Sequence, residues 1–145
     1  MIKLTDTIRD VLNTALADGT PCLVGTSSKD GHPQISPKGS VIVLNDDTLA
    51  YWERSNRSSL NRLHENPHVA IFYRNAARAG KEFRAGVIRF YGDASLVTSG
   101  PDRDKVWDLI PEAERKPDPE KKGAAVLVRL NSVEELSGNV VMKRD

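Results

Sequence analysis

Residues Gln34 to Tyr73 read QISPKGSVIVLNDDTLAYWERSNRSSLNRLHENPHVAIFY, and the fold of the whole chain turns on this stretch. Val41 to Leu44 form an apolar run halted by the turn formers Asn45, Asp46 and Asp47, and the chain resumes as Leu49, Ala50, Tyr51 and Trp52. Two short apolar runs around a polar turn make a hairpin. A polar elbow follows, Glu53-Arg54-Ser55-Asn56-Arg57-Ser58-Ser59, and leads into a helix with Leu60 and Leu63 as its apolar positions. The start of a helix has unpaired N–H groups and the positive end of the dipole, so it is a favourable place to hold a phosphate. Ser55 or Asn56 acting as a plain helix cap, with solvated arginines, explains the same residues. Ser36-Pro37-Lys38-Gly39 on the neighbouring strand adds a further cation and weighs toward an anion site.

Upstream, Leu4, Ile8, Val11, Leu12, Ala15 and Leu16 recur at helical spacing over residues 4 to 16, and Gly19 closes the element. Its single apolar stripe has to cover an end or an edge of a sheet. Pro21 to Ser28 predicts a strand and Lys29-Asp30-Gly31-His32 its turn, because Asp-Gly tolerates the positive φ of a tight hairpin. The next strand starts near Pro33 and is expected to bend or break at Ser36 to Gly39, since Pro37 has no N–H for a ladder.

Downstream, Asn66-Pro67 closes the short helix and so separates His64 from His68, whose spacing is then no metal-ligand argument; no metal is expected. His68 to Arg74 is a strand, residues 75 to 81 a loop, and Phe83 to Val97 one long strand or two joined at Gly92-Asp93. From Arg74 to Arg89 five basic residues, Arg74, Arg78, Lys81, Arg84 and Arg89, face only Glu82, which suggests an anionic ligand or an acidic partner edge, with a solvated β-loop and a nucleic-acid groove, short of aromatics to stack bases, as the other readings. Asp102 to Ile110 is a helix with Pro101 at its start and Trp107 as a packing residue. Residues 111 to 123 form a charged, proline-bearing excursion, Ala124 to Leu130 a last core strand, and the remainder an edge strand and a tail.

The count is six or seven strands and three short helices, without the alternation that a parallel sheet requires. The fold class is therefore mainly β, a small antiparallel barrel with peripheral helices, in one domain over residues 1–145. With 21 basic and 20 acidic side chains the net charge gives no drive toward nucleic acid or anionic lipid. Cys22, the only cysteine, lies in an apolar run and reads as a buried strand residue. No apolar stretch is long enough for a leader or a membrane span, so a soluble cytoplasmic protein is expected.

The ordered set Asp30-Gly31, Pro33-x-x-Ser36-Pro37, Tyr51-Trp52, Arg57-Ser58-Ser59-x-Asn61 and Asn66-Pro67-x-Val69-Ala70-Ile71-Phe72-Tyr73 resembles the pyridoxamine 5'-phosphate oxidase-like flavoproteins, the FMN-binding split β-barrels. The likeness runs from Pro21 to about Val97. It implies a homodimer with two FMN sites at the subunit interface, a small-molecule redox partner, and neither nucleic acid nor membrane. Arg57, Ser58 and Ser59 correspond to the family's phosphate-binding stretch, with Asn61 one turn on. Ser36 and Lys38 stand where the family places a basic residue beside the phosphate or the ring. Tyr51 and Trp52 end the strand against which the isoalloxazine lies, and Arg84 and Arg89 are candidates to reach the partner subunit's site. Ser59 replaces the family's phosphate-binding lysine, and the end of the chain lacks the arginine- and tryptophan-bearing segment that binds the vitamin substrate. An FMN-dependent oxidoreductase of unassigned substrate and unknown catalytic residues is thus implied. The alternatives are a non-catalytic flavin- or haem-binding protein and a polyanion-binding barrel. No paired carboxylates or Ser-His-acid set points to a hydrolase.

Overall fold

A computed structural model describes residues 1–54 and 57–145, the side chains of residues 57 and 58 excepted. The strands are β1 (Cys22–Ser27), β2 (Pro33–Lys38), β3 (Ile42–Asn45), β4 (Thr48–Glu53), β5 (His68–Arg74), β6 (Val87–Val97), β7 (Ala124–Glu134) and β8 (Val140–Lys143). The helices are α1 (Asp6–Asn13), α2 (Arg57–Glu65), α3 (Pro101–Leu109) and α4 (Glu112–Arg115). All strand pairs are antiparallel, in the order β2-β1-β5-β6-β7-β4-β3, with β8 added to β7.

Several expected boundaries move. The periodic stripe of residues 4 to 16 outlasts its helix: Thr5 caps α1 by accepting from Ile8 N at 3.2 Å, and the chain turns at Thr14, whose N–H reaches back to Asp10 O and Leu12 O. Strand β2 does not break at Ser36 or Pro37 but ends at Lys38, with Gly39 and Ser40 in a turn. It runs through Pro37, which pairs with Leu23, because β2 is an edge strand whose outer side needs no donor. Residues 84 to 86 make a 3-10 turn, so β6 starts at Val87 rather than Phe83 and continues unbroken past a register shift at Tyr91/Gly92.

Two apolar clusters share the sheet. The larger one fills the barrel and takes Ile8, Val11 and Leu12 of α1 with Val24, Leu49, Tyr51, Ile71, Tyr73, Ile88, Phe90, Val126 and Val128. Cys22 belongs to it, and burial pushes its thiol up to about 12, which leaves it inert at neutral pH. The smaller cluster, on the other face of β4, consists of Ile42, Leu44, Ala50, Trp52, Val106, Ile110 and Ala125, with Trp107 against it. Trp107 is thus a packing residue, edge-on to Trp52 at a centroid distance of 4.8 Å.

The excursion of residues 111 to 123 is ordered, and its anchor is Asp118, only 8% exposed. Its carboxylate accepts from Trp52 Nε1 at 2.9 Å, Gly123 N at 2.8 Å and Lys122 N at 2.9 Å. Arg103 stacks over the Trp52 ring at 4.9 Å and donates to Gly123 O at 3.1 Å and to Lys121 O. Gly123 has to be glycine, because a Cβ there would come within 2.5 Å of Glu53 O and 2.6 Å of Trp52 Nε1.

Burial pushes the Asp118 carboxyl up, but the hydrogen bonds from Trp52, Gly123 and Lys122 and the Arg103 charge outweigh it and hold the group below its ordinary 3.8. A depressed carboxyl stabilises the fold fully above its unfolded value, and that stability is lost as pH falls through the lower folded value. Asp118→Asn should therefore cost about 2 kcal/mol near neutrality, through donors left facing an amide. Thermal melts across pH should show the gap between wild type and variant closing as pH drops below 3.8.

Candidate functional site

Strand β4 is buried at all six positions, and Leu49, Tyr51 and Glu53 alternate onto one face. The alternation that sends Leu49 and Tyr51 into the barrel therefore carries a carboxylate to the barrel's end, where Glu53 is 2% exposed. An unpaired buried carboxylate is costly, and here the counter-charge is Lys38 at the end of β2, with Nζ 2.6 Å from Glu53 Oε2. Beyond that ion pair, Glu53 Oε2 has no hydrogen-bond partner among the described residues. The phenol of Tyr51 is pushed far up, first by burial and then by the Glu53 charge, so it stays protonated.

A hollow of about 180 Å³ opens beside this pair, lined by Lys38, Gly39, Ser40, Glu53, Arg54 and Glu114 among others. Ser40 is buried and ties its floor to β4: it accepts from Trp52 N at 3.0 Å and donates to Trp52 O at 3.3 Å. Gly39 leaves room for a carboxylate, since Glu114 Oε1 lies 2.2 Å from where its Cβ would be. Helix α2 starts at Arg57, three residues after Arg54 in the chain. At the other end of α2, Arg62 donates to His32 O at 2.7 Å and Glu65 accepts from Lys29 N at 3.1 Å, which ties that end to the β1–β2 turn.

Of the site residues expected from sequence, Lys38 lines this hollow and Ser36 lies half-buried two residues before it on β2. The side chains of Arg57 and Ser58 lie outside the described residues, as do Ser55 and Asn56, the two candidate caps. Ser59 is half-buried in the first turn of α2 and already engaged. Asn61 is exposed and opens onto a different hollow, with Ser28, Arg62 and Glu65, so it does not meet Lys38 there.

Tyr51 and Trp52, of which strand alternation lets only one face a ring, are both buried. Tyr51 is 1% exposed inside the barrel, and Trp52, 4% exposed, is spent on Asp118, Arg103 and Trp107, so neither presents a free face. The basic run from Arg74 to Arg89 is also offset in space. Arg78 pairs with Asp18 at 2.9 Å, Arg84 with Glu135 at 3.7 Å and Arg89 with Glu134 at 3.8 Å. Glu134 is the last residue of β7 and Glu135 follows it, so two of these acids come from that strand's end.

The sequence placed Glu53 and Arg54 in the polar elbow without giving either a contact, and gave Ser40 and Glu114 no role. Glu53 had a signal: it continues the inward set Leu49, Tyr51 at a spacing of two. Glu114 had none, because α4 reaches Gly39 from 75 residues away in the chain.

A larger hollow, about 480 Å³, lies on the outer face of β2, β1, β5 and β6 over Gly25 and Ala70, between Ile35 and Tyr91. At its edge His68 Nδ1 lies 2.7 Å from Asp93 Oδ1. This face exposes Ile35 at 70%, Leu23 at 39% and Tyr91 at 36%. Among the described residues no group of three or more His, Cys, Asp or Glu could hold a metal ion, and no helix is long and apolar enough to cross a membrane.

Residues 4–135 match the family model described as pyridoxamine 5'-phosphate oxidase. The chain belongs to this family. Solved structures agree in fold. HupZ of Group A Streptococcus superposes with a TM-score of 0.72 at 18% identity, covering 96% of this chain and 99% of that one. An FMN-binding protein from Syntrophomonas wolfei gives 0.65 at 12%, covering 94% and 88%. General Stress Protein 26 from Bacillus anthracis gives 0.65 at 12%, covering 94% and 98%. No curated protein matches at a significant level. The fold expected from sequence, an antiparallel split barrel of the pyridoxamine 5'-phosphate oxidase family, is the one found.

The Lys38–Glu53 pair makes a stability prediction. Lys38→Met should destabilise the protein by about 3 kcal/mol, because it leaves Glu53 charged and buried without a counter-ion. Lys38→Met combined with Glu53→Gln should recover most of that loss in a denaturant titration; purely additive effects would show that the two side chains do not act as a pair.

Proposed function

We propose that this chain is an FMN-binding flavoprotein that works as an oxidoreductase on a small-molecule redox partner. The carrying observation is the hollow at the barrel's end, where Lys38 and Arg54 line one space over a glycine floor, three residues before α2 begins in the chain. Two cations, Lys38 and Arg54, are the groups that would hold a phosphate there, beside a floor where Glu114 already rests a carboxylate oxygen against Gly39. Arg57 and Ser58, in the first turn by sequence, would complete the anion contacts. A terminal phosphate suits this elbow, whereas the chain has no Gly-x-Gly-x-x-Gly turn to hold the pyrophosphate of FAD. The FMN-binding protein of Syntrophomonas wolfei, similar in fold, is consistent with this reading.

When bound, the isoalloxazine supplies the redox chemistry, and the protein's share is to position and screen it. Lys38 and Arg54 would hold the phosphate end, and Glu53 would fix Lys38 from inside the barrel. Arg84 and Arg89 are already paired to Glu135 and Glu134 within the chain, so they are weaker candidates for an intersubunit contact.

The same reading takes the protein to be a homodimer with two FMN sites at the subunit interface. The exposed outer face carrying Leu23, Ile35 and Tyr91 supports it, since an apolar sheet face of this kind is normally covered. Light scattering should give twice the chain mass of 16.0 kDa. A monomer that still binds flavin tightly would place the site within one chain.

Fluorescence-quenching titration with FMN tests the phosphate position. Arg57→Ala should weaken FMN about ten- to hundredfold, as expected for loss of one charge-assisted hydrogen bond, with the circular dichroism spectrum unchanged. Arg57→Lys should restore only part, because an ammonium lacks the planar fork. An affinity within about twofold of wild type would remove the phosphate from this elbow.

A further inference from the structure

The hollow that would take the phosphate is already balanced in charge. Among its described side chains Lys38 and Arg54 stand against Glu53 and Glu114. A phosphate brings up to two further negative charges into this space, so one of the carboxylates has to give way or be tolerated at a cost in binding. Glu53 is the one that cannot leave: it is 2% exposed, its strand is paired on both sides, and its charge is held by Lys38 at 2.6 Å. Glu114 differs on each count. It is half-buried, it sits on the four-residue helix α4 outside the sheet, and α4 itself is held by Arg115, which donates to Trp107 O and Asp108 O at 3.3 Å. Rotation of the Glu114 side chain alone would free the floor at Gly39 while the helix stays in place.

We propose that Glu114 is a specificity-determining residue of this site: its carboxylate occupies the anion subsite on Gly39 and competes with the phosphate of the ligand. The inference rests on the FMN reading and deepens it. Glu53 is then the permanent counter-ion of Lys38, Glu114 is the exchangeable one, and the site's preference for a phosphorylated over an unphosphorylated flavin is set by how readily Glu114 leaves. Gly39 follows from the same geometry, because a Cβ 2.2 Å from Glu114 Oε1 would fill the subsite for either occupant.

The test measures affinity for FMN and for riboflavin, side by side, in wild type, Glu114→Gln and the double variant Glu114→Gln/Gly39→Ala. Glu114→Gln should bind FMN about tenfold more tightly, as expected from removing one charge a few ångströms from a dianion in a partly screened site. Riboflavin, which lacks the phosphate, should bind the two proteins equally. Gly39→Ala in that background should abolish the gain. A merely structural Glu114 would shift the melting temperature and leave the FMN-to-riboflavin ratio unchanged, and that unchanged ratio in a wild type that binds FMN would overturn the proposal. If neither protein binds either flavin, the FMN reading fails, and inorganic phosphate at constant ionic strength then decides on the subsite. A larger phosphate-dependent rise in melting temperature for Glu114→Gln than for wild type upholds the competition, and equal rises overturn it.

Discussion

Burial of β4 on both faces is the constraint from which the rest of the molecule follows. A strand sends alternate side chains to opposite sides, so Thr-Leu-Ala-Tyr-Trp-Glu can be buried throughout only if two separate layers cover it. The barrel interior takes Leu49 and Tyr51, and the layer made by α3 and the 111–123 excursion takes Ala50 and Trp52. Neither layer is optional. Without the second, a tryptophan would lie bare on a sheet face, and its indole N–H would lose the carboxylate of Asp118.

The same alternation places charge. After Leu49 and Tyr51 the next inward position on β4 is Glu53, and the cost of a carboxylate there is offset by drawing Lys38 from the edge strand β2 across the barrel's end. That ion pair is worth more as a locator than as a source of stability. It fixes the end of β2 against the end of β4, and Gly39, Ser40 and Arg54, the neighbours of those two residues in sequence, become the walls of one hollow. The site is therefore a by-product of how the strand is buried.

Local pattern carried much of this information. The Asp30-Gly31 and Asn45-to-Asp47 turns, the stop at Asn66-Pro67 and the entry at Pro101 each depend on residues a few positions apart, and each marks the boundary it was expected to mark. Pro37 was read as a break because proline cannot donate; it stays within β2 because an edge position makes the missing donor harmless. What sequence could not show is which distant partners neutralise which charges. The run from Arg74 to Arg89 looks like an electropositive patch until the β6–β7 register sets Glu134 opposite Arg89 and Glu135, the next residue, comes within 3.7 Å of Arg84. Adjacency in a strand likewise does not reveal that Tyr51 and Trp52 are covered on both faces of β4.

These long-range pairings also join the core to the site. Asp118 clamps the excursion onto Trp52, the residue immediately before Glu53, and the same excursion carries α4 and with it Glu114 over Gly39. Covering Trp52 and delivering a carboxylate to the hollow are thus two results of one packing arrangement. A disturbance of the Trp52–Asp118 contact would be felt at the hollow along two routes, through the backbone of β4 into Glu53 and through the excursion into Glu114. The anion subsite is consequently set by the second layer of the fold as much as by the strands that border it.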